Sequence, residues 1–176
     1  GFVAHILGRG NILNITAALA VAEHLGVTVA ECRRAVKQIE QVEHRLSLRR
    51  DGDITILDDA YNSNPTGARM ALEVLSQFET DGCRYVVPPG FVEMGTKQYD
   101  NNRAFGRDIA LSRADMVYVV NEVNREAITS GLRDGGYSED RVVVVASFAE
   151  AMADLGPRLR RGDVVLYEND LPDSFK

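Results

Sequence analysis

The chain has 176 residues, 45% of them hydrophobic and 26% charged, with a formal net charge of −6 and a pI near 5.1. That composition fits a domain with a core of its own and argues against a dedicated nucleic-acid surface, which needs clustered Lys and Arg. No apolar run approaches the ~20 residues that span a bilayer, the start lacks the pattern of a secretory leader, and Cys32, Cys83 and three scattered histidines offer no zinc-ligand spacing. The expectation is a reduced, cytoplasmic setting. The chain opens without Met on an apolar segment, which reads as a piece of a longer protein.

Residues 11–25 (NILNITAALAVAEHL) carry apolar side chains at helical spacing, with Asn11 as a candidate cap and Gly26 as a stop. A second helix is predicted over 28–38, where Thr28 and Glu31 have capping-box spacing, so the two make a helical hairpin. Over 45–50 the pattern alternates loosely, Asp51-Gly52 is a hairpin turn, and 54–57 is a short apolar strand. Helices are then predicted near 66–78, 100–112, 124–134 and 148–160, alternating with strands near 84–88, 116–120, 142–146 and 163–167. Strands such as MVYVV and RVVVVA are apolar throughout, as parallel strands buried on both faces are. The rhythm predicts an α/β fold: a Rossmann-like doubly wound sheet of about six mostly parallel strands with one antiparallel strand, preceded by a helical hairpin. A boundary between the two parts falls near residue 44.

The stretch DDAYNSNP, 58–65, follows a strand and precedes a helix. Ligands of open α/β sheets bind beyond the carboxyl ends of strands. Asp58 and Asp59 can accept hydrogen bonds from ribose hydroxyls or hold a metal-bound water, and Asn62, Ser63 and Asn64 offer amide and hydroxyl groups. The same residue types also serve turn chemistry, with carboxylates ending a strand and Asn64 capping a helix. Gly8-Arg9-Gly10-Asn11 precedes the first helix, where an anion can bind, but it lacks the G-K-[ST] end of a P-loop. Asn14 lies one turn after Asn11, so both amides can face one ligand, or simply cap and solvate the helix. Arg45, beside His44 at the junction into the first strand, has the planar fork that pairs with phosphate; a solvated charge is the other reading, as for Lys97 and Arg103. The acidic ENDLPD, 168–173, reads as a surface turn or a ligand-facing tail.

In their order these features resemble the Mur ligase family: Asn11-x-x-Asn14 opening an Ala-rich helix, Leu25-Gly26, His44-Arg45, then a hairpin into DDAYNSNP. The resemblance covers the whole chain, and is greatest to the branch that adds D-alanyl-D-alanine to a UDP-N-acetylmuramoyl tripeptide. It implies an ATP-dependent, ADP-forming amide ligase of three domains in peptidoglycan precursor synthesis. Residues 1–43 would end the central ATP-binding domain, and 44–176 would be the C-terminal Rossmann-like domain that receives the amino substrate. It implies ATP and Mg²⁺, bound mainly by upstream domains that this chain contacts, and as substrates a UDP-muramyl peptide and an amino acid or dipeptide, with no nucleic-acid or membrane partner. By the same analogy Asn11 and Asn14 face the adenine, Arg45 reaches toward the phosphates, and Asp59 holds the ribose hydroxyls. Tyr61, Asn62, Ser63 and Asn64 then border the ATP and amino-substrate cleft. The P-loop and the lysine carbamylated in many members are expected upstream of residue 1, so this stretch alone is expected to hold no catalytic residue and to be inactive.

Two stretches depart from the family pattern: PPGFVEMG at 88–95, where a GDMxELG-like run is expected, and YENDLPD at 167–173, in place of a KGS-like motif. They leave the added amine open and motivate an alternative, a non-catalytic Rossmann-type binding or regulatory module derived from a Mur ligase. A nicotinamide-dependent enzyme is disfavoured, because no G-x-G-x-x-G follows a predicted strand.

Overall fold

In the computed structural model, which describes residues 1–61 and 64–168, two helices come first, α1 (Arg9–His24) and α2 (Val29–Lys37). The capping box starts α2 as expected: Thr28 Oγ1 accepts from the Glu31 N–H at 3.3 Å, and Glu31 Oε2 accepts from the Thr28 N–H at 2.9 Å. The start of α1 differs from expectation. Gly8 takes the N-cap position with φ 85°, a left-handed conformation that glycine adopts without steric cost, and the helix begins two residues before Asn11. Asn11 therefore lies inside the first turn, and its Nδ2 donates to Leu7 O at 2.7 Å. No residue of α1 is buried, and Ile12, Leu13 and Val21 are exposed.

The strands β1 (Ser47–Asp51) and β2 (Ile54–Asp59) form the expected antiparallel hairpin. There follow α3 (Pro65–Gln77), β3 (Arg84–Val87), α4 (Gln98–Leu111), β4 (Met116–Val120), α5 (Arg125–Asp134), β5 (Val142–Val145), α6 (Phe148–Leu155) and β6 (Val164–Glu168). Among the described residues the sheet order is β1-β2-β6-β3-β4-β5, and every pairing except β1 with β2 is parallel. The last strand enters between β2 and β3, which sets Glu168 opposite Asp59 at the carboxyl end of the sheet.

Side chains alternate across the strands with period two and fill two layers. On one face Val86, Val117, Val119, Val164 and Leu166 pack with Ala68, Ala71, Leu72 and Leu75 of α3, Phe105 and Ile109 of α4, and Ile128 and Leu132 of α5. On the other, Tyr85, Val87, Tyr118, Val120 and Val165 pack with Ala151 and Leu155 of α6. Full burial of each large apolar side chain is worth about 1.5–3 kcal/mol, so these layers rather than the exposed α1 carry the stability. The helices α4 and α5 touch backbone to backbone, because a Cβ at Gly131 would lie 2.0 Å from Arg103 O.

Two boundaries shift for local reasons. The helix predicted over 148–160 ends at Leu155, since Pro157 has no N–H to bond Ala153 O, and Gly156–Arg158 continues as a 3₁₀ turn. The strand expected from Arg45 begins at Ser47, because His44 (φ 59°) and Leu46 (φ 50°) hold left-handed backbone. Among the described residues no helix is long and apolar enough to cross a membrane.

Candidate functional site

The junction into the first strand and the end of β2 are built as one unit. Leu46 is buried in the layer beneath α3, and that packing holds the two left-handed residues in place. His44 Nδ1 lies 2.9 Å from Asp58 Oδ2, and Asp58 Oδ1 accepts from the Ala60 N–H at 3.2 Å. The Tyr61 N–H donates to His44 O at 3.1 Å. These bonds bring Arg45 over the Tyr61 ring, with Cζ 4.2 Å from the centroid. Such a contact contributes about 0.5–1 kcal/mol at an exposed site, so its main effect here is to orient the guanidinium. The Tyr61 ring is itself 64% exposed, and the pair faces outward.

The electrostatics separate the two adjacent carboxylates. Asp58 is nearly buried and holds the His44 imidazole above its ordinary pKa, first by the hydrogen bond and then by its charge. The Asp59 carboxyl is pushed up by its burial; a backbone hydrogen bond from Leu46 and the Arg45 charge oppose this, and Asp58 adds repulsion. Asp59 is thus a partly desolvated acceptor beside a cation, suited to hydroxyl donors. Next to it in the sheet, Glu168 is fully buried. That corrects the reading of 168–173 as a surface turn at its first residue; 169–173 lie outside the described residues.

Not every expected site residue gathers here. Asn64 Oδ1 accepts from the Thr66 and Gly67 N–H groups at 3.1 and 3.0 Å, so its oxygen serves the start of α3, with Pro65 in the first turn. Asn62 and Ser63 lie outside the described residues. Asn11 and Asn14 do share a ligand-sized space, a groove of about 480 Å³ between α1 and α2 whose walls include Ile15, Cys32 and Val36; Arg45, Asp59 and Tyr61 do not line it. Lys97 is exposed in a 3₁₀ turn, and Arg103 pairs with Asp134 of α5 at 2.7 Å, away from the strand ends.

The stretch 88–95 stood out in the sequence, but the clamp that holds it did not. The loop 88–95 leaves the carboxyl end of β3, and Asn102 of α4, fully buried, clamps it. Asn102 Oδ1 accepts from the Phe91 N–H at 2.8 Å, and Nδ2 donates to Phe91 O at 2.9 Å, Gln98 O at 2.9 Å and Asn124 Oδ1 at 3.0 Å. Asn124 Nδ2 in turn donates to Pro89 O at 3.1 Å. Gly90 (φ 82°) permits the close approach, since a Cβ there would meet Asn102 Oδ1 at 2.4 Å. The signal was an amide on the apolar face of α4, in helical step with Phe105 and Ile109.

Among the described residues no group of three or more His, Cys, Asp or Glu gathers to hold a metal ion. Asp58 is already committed to His44 and Ala60, so the pair of aspartates fits hydroxyl recognition better than a divalent ligand set.

Residues 44–167, more than half of the chain, match the model of the Mur ligase, glutamate ligase domain. The chain is 30% identical over 181 residues to a UDP-N-acetylmuramoyl-tripeptide--D-alanyl-D-alanine ligase of Mycobacterium tuberculosis (strain CDC 1551 / Oshkosh), and 23% identical over 168 residues to that of Bacillus subtilis (strain 168). The alignments cover 93% and 95% of this chain but 36% of each relative, so the chain spans about a third of their length. Among solved structures it is similar to a MurF ligase of Thermotoga maritima in complex with ADP, with TM-score 0.78 and 26% identity over 94% of this chain and 36% of that one. A UDP-N-acetylmuramate-alanine ligase of the same organism shares the fold, with TM-score 0.68 at 19% identity, covering 97% of this chain and 36% of that one.

Proposed function

The chain belongs to the Mur ligase, glutamate ligase domain family, and on that premise we propose that it is the C-terminal part of an ATP-dependent, ADP-forming amide ligase of peptidoglycan precursor synthesis. In this reading it completes the ATP site and receives the amino substrate. ATP supplies the phosphoryl group that activates a carboxylate of a UDP-muramyl peptide for attack by the amine of an amino acid or dipeptide. Mg²⁺ and the catalytic groups belong to upstream domains.

The observation that carries the reading is the meeting of Arg45, Tyr61 and Asp59 at the carboxyl end of β2. Asp59 accepts hydrogen bonds from the ribose hydroxyls, and its partial burial strengthens them. Arg45, held flat by Tyr61, turns its donor edge toward the phosphates. Tyr61, Asn62, Ser63 and the amide of Asn64 border the amino-substrate cleft. Asn11 and Asn14 face the adenine from α1.

Residues 1–43 in this reading complete the upstream ATP-binding domain. Three observations favour that: α1 buries none of its residues against the rest of the chain, the family match begins at residue 44, and the relatives are far longer. The localisation that goes with the reading is the cytoplasm, where nucleotide-linked cell-wall precursors are made.

The test is ATP affinity in the full-length protein. Arg45→Ala and Asp59→Ala are each expected to weaken it about tenfold, the loss of one charge-assisted hydrogen bond. Unchanged affinity in both variants would overturn the assignment.

A further inference from the structure

At the opposite, amino-terminal end of the sheet a second cavity of about 550 Å³ opens where β3, β4 and β5 begin. Arg84, Arg113 and Arg141 line it, with Asp115, Tyr137 and Ser138. Three arginines and one acidic residue thus line the cavity, with Asp140 close to Arg141, in a chain whose net charge is −6.

Arg84 is the unusual member. It is the first residue of β3 and only 8% exposed. Its Nη2 donates to Phe78 O at 2.8 Å, while its Nε is buried and has no hydrogen-bond partner among the described residues. Asp115 does not neutralise it: its Oδ2 accepts from the Arg84 backbone N–H at 2.8 Å, and no ion pair joins the two side chains. By contrast, Arg103, Arg107 and Arg158 each pair with a carboxylate. A buried guanidinium whose Nε–H has no acceptor is costly unless an anion supplies one.

The rest of the cavity is held ready. Arg113, in a left-handed conformation (φ 63°), donates through Nη1 to Ser76 O at 3.2 Å, and Arg141 ends the 3₁₀ turn Glu139–Arg141 at the mouth of β5. The Tyr137 hydroxyl donates to Ala114 O at 3.0 Å, and burial pushes its pKa up to about 12, so it adds no negative charge near neutral pH.

We propose that this cavity is a binding site for a phosphate group, presented as the free ion or as a phosphate ester, with Arg84 as the buried anchor and Arg113 and Arg141 as the flanking arms. Three guanidinium forks around one pocket match a tetrahedral dianion, which accepts several hydrogen bonds at once. The bound anion would join the connections that lead into β3, β4 and β5, and so stabilise the folded chain by linkage. The site lies across the sheet from Arg45 and Asp59, and does not depend on the ligase reading.

The experiment is equilibrium dialysis of the full chain with inorganic phosphate, alongside thermal unfolding, at constant ionic strength set with chloride. Saturable binding of one equivalent and a rise in melting temperature are expected. Arg113→Gln and Arg141→Gln, both at exposed positions, are each expected to weaken binding about tenfold, while Arg45→Ala leaves it unchanged. Glycerol 3-phosphate, which has no base or ribose for the Arg45–Asp59 site to hold, distinguishes the sources: tighter binding than inorganic phosphate assigns a phosphate ester, weaker binding the free ion. No saturable binding through the millimolar range overturns the proposal. So does binding that survives the Arg113→Gln/Arg141→Gln double variant or disappears with Arg45→Ala.

Discussion

Arg45 lies over the ring of Tyr61 with its guanidinium carbon 4.2 Å from the centroid, because residues on either side of it tie the turn down. His44 bonds Asp58 and also receives the Tyr61 N–H, while Leu46 is buried. The stack leaves the planar donor edge of Arg45 free to face a ligand. Arg45→Lys keeps the charge but removes both the fork and the flat contact, and is expected to lower kcat/KM for ATP by up to about tenfold, equivalent to at most about 1.4 kcal/mol. Tyr61→Phe keeps the ring and is expected to stay near the parent value. Steady-state ADP release by the full-length protein checks both.

The His44–Asp58 bond makes stability depend on pH. The folded imidazole holds its proton more tightly than the ordinary value of 6.5. Its stabilising contribution is therefore fully present below pH 6.5 and is lost as pH rises through the folded value. Urea unfolding across that window should show this slope, and His44→Asn should flatten it. An identical slope in the variant would assign the dependence to other groups.

Asp59 gives a slope of the same sign in a lower pH window, but as a cost that appears rather than a gain that is lost. Its folded pKa is raised above 3.8 by burial, so ionising it costs the folded state, and the cost is present at neutral pH. Asp59→Asn is expected to raise the urea midpoint at pH 7 while weakening ATP binding. A variant that loses both stability and affinity would show that Asp59 is a structural residue.

Asn102 has a fully buried amide that bonds both backbone groups of Phe91. Asn102→Ala strands those two Phe91 groups away from water, while Asn124 Oδ1 keeps its bond from Gln98 Nε2, at a cost of about 2–4 kcal/mol. Chemical denaturation measures the loss, and hydrogen exchange should show it centred on loop 88–95 rather than spread across the sheet.

Much of the fold was legible in the sequence. The apolar runs of β3, β4 and β5, the Thr28 capping box and the Asn64 cap each rest on neighbours in sequence, and all are present. What was not legible depends on distant partners. The pairing of His44 with Asp58 follows from the hairpin register, which sets Ser47 opposite Asp58. Glu168 reads as an acidic tail until β6 is inserted between β2 and β3 and buries it beside Asp59. Asn11 reads as a cap because its residue type favours one, but the left-handed Gly8 turns the chain earlier. The grouping of Arg45, Asp59 and Tyr61 was expected from order along the chain, whereas Asn11 and Asn14 line a separate groove.

The ligase assignment stands or falls on ADP release from the full-length protein given ATP, Mg²⁺, a UDP-muramyl tripeptide and a panel of amino acids and dipeptides. ADP release matched one-to-one by a new amide bond is expected, strongly reduced in Arg45→Ala. Absence of ADP release with every UDP-muramyl peptide and amine would contradict it, and would leave the domain as a binding module built on the ligase fold.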